Sequence, residues 1–149
     1  MADDPDQTPQ AIALAVREHM YRRDRAAQAQ GVTVEAIGPG HATCRMAVRE
    51  DMLNGHATCH GGLVFTLADS AFAYACNACN RATVALACQI SYIAPARQGD
   101  VLTATAGEQS RTGRTGVYDV EVRRSDGALV ALFRGNAYET RGAVVPSFP

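Results

Sequence analysis

HGGLVFTLADSAFAYACNAC, residues 60–79, is apolar on nearly every face of a helical wheel, and its length and alanine content favour helix over strand. A helix apolar all round has to be buried all round. It needs a sheet against one side and something else, such as a second subunit, against the other. The rest of the chain supplies the material for that enclosure.

Upstream, Thr8-Pro9 reads as an N-cap and first helical residue, followed by Ile12, Leu14, Val16, Met20 and Tyr21 among charges, with Gly31 as the stop. Beyond Gly31 the periodicity changes. Residues 32–37 and 42–48 read as two strands joined at Gly38-Pro39-Gly40, a hairpin, and a polar loop with Asn54-Gly55 and His56 then leads to the helix. Downstream lie four β-rich runs, 82–93, 101–109, 116–124 and 128–138, with turn signals at 95–99, Gly113 and Asp126-Gly127; they read as one long antiparallel meander. The expected class is α+β: an antiparallel sheet of about six strands wrapped around a long central helix, with an extra N-terminal helix. Residues 1–149 fit one domain, with 1–7 and 142–149 expected to be flexible.

Fourteen Arg and no Lys balance fifteen acids, so the formal net charge is −1 and no overall field recruits nucleic acid or an anionic membrane. No run of 18 apolar residues is present, and the opening MADDPDQTPQ is acidic where a signal peptide would be basic and then greasy. The chain reads as cytoplasmic. Five cysteines, at 44, 59, 76, 79 and 88, point to reduced thiols rather than a disulfide framework. The one CxxC, Cys76 and Cys79, falls near the end of the helix. Cys59 and His60 lie about 24 Å earlier along it, too far to complete a metal site, so neither metal nor cofactor is expected.

Asp69 is the most informative residue. Between Leu63 and Cys76 the polar side chains besides Tyr74 are Thr66, Asp69 and Ser70, and an unpaired carboxylate is costly in such company. It reads either as a functional group or as a carboxylate on one solvent-facing stripe. His60-Gly61-Gly62 opens the helix, where free N–H groups and the helix dipole suit a developing oxyanion; the bland reading is a tight turn needing small residues. Gly61 and Asp69 are eight residues apart, about 12 Å along one axis, too far to act on one carbonyl carbon. Two helices antiparallel about a two-fold axis would bring the amides of one to the carboxylate of the other, which predicts a homodimer with shared sites.

The stretch MLNGHATCHGGLVFTLADSAFAYACN, with N-G-x-x-x-x-H-G-G and an Asp nine residues after the His, resembles the hotdog-fold acyl-CoA thioesterases, specifically their phenylacetate-degradation (PaaI-type) branch. The similarity continues through QISYIAPARQGDVLTATA and TGVYDVEV to ALFRGNAYE. It implies a helix wrapped by an antiparallel sheet, dimers with interfacial sites, a homotetramer made of paired dimers, and an acyl-CoA substrate with an aromatic acyl group. By position it makes Asp69 the general base or nucleophile and Gly61 N–H the oxyanion donor, with Asn54 and His60 lining the site and Gly62 beside them; Asn54 by itself reads as turn chemistry. Several relatives carry a Ser or Thr on the strand after the helix to hold water, where this chain has Ala85, Leu86 and Ala87; Thr83 or Thr66 are the substitutes on offer.

Arg111-Thr-Gly-Arg114, turning at Gly113, offers two guanidiniums for coenzyme A phosphates, or is simply a solvated turn; Arg97 and Arg134 are weaker candidates. Phe65, Phe72, Tyr74 and Tyr92 are candidates for an aromatic-acyl pocket or for plain core. The rival functions are a dehydratase or hydratase on acyl thioesters, which needs a histidine base and has only His60, and a non-catalytic acyl-CoA-binding protein.

Overall fold

The computed structural model describes residues 7–146. Thr8 caps the first helix, α1 (Pro9–Tyr21), its hydroxyl accepting from Ala11 N at 3.1 Å, with Pro9 opening the first turn. The helix expected to run on to Gly31 is in fact two. A short α2 (Arg25–Ala29) follows, started by Asp24, whose Oδ1 accepts from Ala27 N at 3.1 Å while Oδ2 accepts the buried Tyr74 hydroxyl at 3.0 Å. An Asx cap satisfied from both sides outweighs continuing one helix across Arg22–Asp24.

The hairpin stands as expected: β1 (Thr33–Gly38) and β2 (His41–Ala47) pair antiparallel, with Gly40 at φ 73° in the turn. After a 3-10 turn at Glu50–Met52, α3 spans Gly61–Asn77, ending two residues before the expected Cys79. The remaining strands are β3 (Thr83–Tyr92), β4 (Val101–Thr112), β5 (Thr115–Arg124) and β6 (Leu129–Glu139). They make one antiparallel sheet ordered β1-β2-β4-β5-β6-β3.

That order corrects the expected meander. Only β4, β5 and β6 follow one another, while β3 crosses to the far edge and pairs with β6, Ile90 opposite Phe133, and β4 takes its place beside β2, Met46 opposite Leu102. Alternation fixes which face of a strand is apolar but not which neighbour it chooses. The segment 93–100, at about 3.3 Å per residue, is long enough to carry the chain over the sheet.

The sheet curls around α3. Val64, Leu67, Ala68, Ala71, Phe72, Tyr74, Ala75 and Cys76 are buried against it, and Phe72 packs its ring at 5.6 Å from Tyr118 and 5.8 Å from Phe133. One stripe escapes: Gly62 is exposed and Phe65, Thr66, Asp69, Ser70 and Ala73 are only half-buried. These positions recur at helical spacing and lie on one side of α3. The edge strand β3 is similarly uncovered, with Val84, Leu86, Tyr92 and Ile93 all more than half exposed. Of the ends expected to be flexible, 1–7 and 142–149, residues 1–6 and 147–149 lie outside the described residues. Val145 exchanges hydrogen bonds with Asn80, N to Oδ1 at 2.8 Å and O from Nδ2 at 3.3 Å.

Candidate active site

The loop before α3 is built around Asn54. Its Oδ1 accepts from His56 N (2.9 Å), Thr58 N (3.3 Å) and Thr58 Oγ1 (3.2 Å), an Asx turn that lets Ala57 adopt φ 58°. Its oxygen is thus committed to the loop, and the Nδ2 donors are what it has left for a substrate. Cys59 N to Ala96 O and His60 N to Met52 O, both 2.8 Å, pin the loop to its neighbours.

His60 is the N-cap of α3, and its Nδ1 accepts from Gly62 N at 2.9 Å. Nδ1 must therefore be unprotonated, so the neutral ring carries its proton on Nε2 and presents a donor, not a base. Gly62 N–H is spent in the same bond. Gly61 N–H has no acceptor among the described residues, and Gly61 lines a cleft of about 350 Å³ with Asn54, Thr58, Val64, Tyr92 and Ala96 among others. Tyr92 donates to Gly61 O at 2.8 Å, and a Cβ at position 61 would sit 2.9 Å from its Cζ. A larger residue there would have to displace the Tyr92 ring, which is half exposed.

Asp69 lies two turns further along the same helix, on the half-covered stripe, with no salt-bridge partner among the described residues. Burial first, then the charge of Asp24, holds its carboxyl above the usual carboxylate range, and a contact from Cys88 Sγ at 3.9 Å pulls the other way. Neither Thr offered as a water holder is free: Thr66 Oγ1 donates to Gly62 O at 2.9 Å and Thr83 Oγ1 to Arg81 O at 2.8 Å. Thr66 at least shares the stripe of Asp69. Thr83 sits at the start of β3.

The arginines are elsewhere. Arg111 donates to Glu139 Oε2 at 2.7 Å and lies with Cys79 and Arg81 beside the C-terminal end of α3, opposite the Gly61 end of a helix about 25 Å long. Gly113, at φ 59°, and Arg114 form the neighbouring turn. One chain therefore does not bring the arginine turn to Gly61. Arg134 is held by Asp119 at 2.6 Å. Among the aromatics, Phe72 and Tyr74 belong to the core, Phe65 meets Phe133 edge-on at 5.4 Å, and Tyr92 alone lines the cleft. All five cysteines are free; Cys76 is buried and Cys79 exposed. Among the described residues no cluster of His, Cys, Asp or Glu is arranged to hold a metal ion.

Cys88 went unrecognised in the sequence because it gave no motif. Its only signal was its place on β3, and that depends on the irregularity between Ala85 and Ala87, which local alternation does not show.

The chain as a whole has known relatives. The Thioesterase superfamily model matches residues 56–131. The acyl-coenzyme A thioesterase PaaI of Escherichia coli is 46% identical over 125 residues, covering 84% of this chain and 89% of that protein. The chain belongs to the thioesterase superfamily. The E. coli PaaI structure superposes with a TM-score of 0.90 at 43% identity, over 91% of this chain and 99% of that one. The TT0310 protein of Thermus thermophilus gives 0.76 at 42%, over 79% and 99%. A thioesterase from Streptococcus pneumoniae, described as hypothetical and solved with coenzyme A, gives 0.72 at 25%, over 75% and 90%. With membership in this superfamily, the sheet wrapped around α3 is a hotdog fold.

Proposed function

We propose that this superfamily member hydrolyses acyl-CoA thioesters, with an aromatic, phenylacetyl-type acyl group as the preferred cargo. The observation that carries the proposal is Asp69: a half-buried carboxylate without a cation partner among the described residues, on the one flank of α3 that its own sheet leaves open. The substrate class follows the E. coli relative's activity on acyl-coenzyme A, and the S. pneumoniae structure with coenzyme A supports the coenzyme half of the substrate. Tyr92 in the cleft and half-buried Phe65 support an aromatic acyl group.

In the reaction Asp69 takes a proton from water as the water oxygen bonds to the thioester carbon. Gly61 N–H receives the developing oxyanion, and collapse of the tetrahedral intermediate expels the CoA thiolate, a good leaving group that needs little acid help. Attack by Asp69 itself, through an anhydride, is the alternative order of events. Asn54, which lines the cleft, and His60 at the start of α3 orient the substrate as donors through Nδ2 and Nε2–H. A histidine whose Nδ1 is engaged and whose Nε2 carries a proton does not suit the base of a dehydratase.

The site is shared between two copies. About 12 Å separates the two functions along one helix, as the spacing requires, and the open stripe of α3 beside the uncovered β3 edge is where a second copy would supply the other half. Antiparallel pairing of α3 would also carry the partner's arginine turn toward this chain's Gly61. Pairing of dimers into a tetramer follows the family resemblance, and five free thiols suit a cytoplasmic setting.

Thiol release from phenylacetyl-CoA, followed with a chromogenic disulfide, tests the reading. Asp69→Asn should lower kcat at least about a hundredfold, the scale of losing a general base; turnover like that of the unaltered chain would remove Asp69 from the mechanism.

A further inference from the structure

Among the described residues, Cys88 of the neighbouring strand β3 is the side chain that reaches the Asp69 carboxylate. Its Sγ is 3.9 Å from Asp69 Oδ1. The backbone arranges this contact. Ala85 pairs with Ala137 and Cys88 with Gly135, both on the helix-facing side of β6, so two inward residues of β3 are separated by three positions instead of two. The extra residue at the irregularity between Ala85 and Ala87 reverses the alternation; a regular strand would turn Cys88 to the outer face and put Ala87 opposite α3.

We propose that Cys88 is a positioning residue for Asp69: its S–H donates to Oδ1, fixes the carboxylate plane, and leaves Oδ2 to take the proton of the attacking water. The inference rests on Asp69 being the reacting carboxylate. Burial, and then the neighbouring Asp69 charge, push the Cys88 thiol up, so it stays a protonated donor at neutral pH and is no competing nucleophile. A separation of 3.9 Å is long for this bond, and catalytic hydrogen bonds tighten once substrate is bound. The other charged and titratable groups that act with Asp69 are Asp24, from the turn between α1 and α2, and Cys76, two turns along α3 itself. No guanidinium pairs with it among the described residues, so the thiol is the one donor that stabilises its ionised form there.

The experiment compares Cys88→Ala and Cys88→Ser with the unaltered chain, measuring kcat and KM for phenylacetyl-CoA against pH. In parallel, carboxyl-labelled aspartate is titrated by carbon NMR, with Asp69→Asn identifying the Asp69 resonance. Cys88→Ala should lower kcat by roughly tenfold with KM little changed. Its acid limb should move to higher pH, because the ionised carboxylate has lost a donor, and the Asp69 resonance should titrate higher by the same amount. Cys88→Ser should restore both. Unmoved limb and resonance in Cys88→Ala, a serine variant as impaired as alanine, or a rise in KM alone would each overturn the proposal. Full activity in Asp69→Asn would instead sink the reading of Asp69, and even if no thiol were released by any form, the NMR titration would still decide whether Cys88 touches the carboxylate.

Discussion

At Asp69 burial and the charge of Asp24 raise the carboxyl's pKa, so the folded chain holds that proton more tightly than the unfolded chain does. Stability from this group is complete below the unfolded carboxylate's pKa, about 4, and is lost as pH rises through the higher folded value. Asp69→Asn removes that loss along with the charge on which the proposed mechanism depends. Its melting temperature should exceed that of the unaltered chain at neutral pH, with the gap closing as the pH is brought down toward about 4. Calorimetry across that range checks it, and a gap independent of pH would contradict the argument. Gly61 poses a different question. A methyl there meets Tyr92 Cζ at 2.9 Å and also narrows the approach to the free N–H. Gly61→Ala keeps the N–H but crowds the path to it, and should lower kcat/KM by up to roughly 100- to 1,000-fold, the range for an oxyanion donor made useless. Removing the ring as well, in Gly61→Ala with Tyr92→Ala, should not recover it; full recovery would mean that the glycine serves only the tyrosine.

Among the elements, β6 and α3 set the tightest packing constraint. A Cβ at Gly135 would fall 2.7 Å from two atoms of the Phe72 ring, which is 1% exposed and wedged between Tyr118 and Phe133. A ring so held cannot step aside, so Gly135→Ala must shift the helix or the strand, at about 1–3 kcal/mol. The expected result is a melting temperature lower by several degrees, read by circular dichroism. An unchanged midpoint would show that α3 rides loosely on the sheet. The same face of β6 also receives Cys88 through the irregular β3 pairing, so the element that locks the core also aims the thiol at Asp69.

For the whole molecule, the open flank of α3 and the β3 edge make assembly the deciding variable. Leu86 sits at the irregularity of β3 with 62% of its surface exposed. An exposed apolar edge strand is a template for pairing, and a charge on it opposes its own copy across a two-fold axis. Leu86→Lys should shift the native mass toward the monomer and abolish thiol release together, since the proposed site needs a half from each copy. A monomeric variant that turned over normally would refute the shared site.

Much of this was legible in the sequence for identifiable reasons. Thr8-Pro9, Gly38-Pro39-Gly40 and the all-round apolar run before Asn77 each carry their own local chemistry, so the N-terminal helix start, the hairpin and the central helix could be read directly. Asp69 and Gly61 stood out because a carboxylate in an apolar helix and paired glycines at its start contradict their surroundings. The sequence alone determined which segments are apolar enough to need cover and which residues break the pattern, since periodicity and cost of burial are local properties. Only the tertiary structure decided that β3 crosses to the far edge, that Asp24 splits the first helix while receiving Tyr74, that the arginine turn lies at the wrong end of α3 for its own Gly61, and that Cys88 faces Asp69. Those outcomes depend on partners far away along the chain, and no local alternation encodes which of several equally apolar neighbours a strand will take.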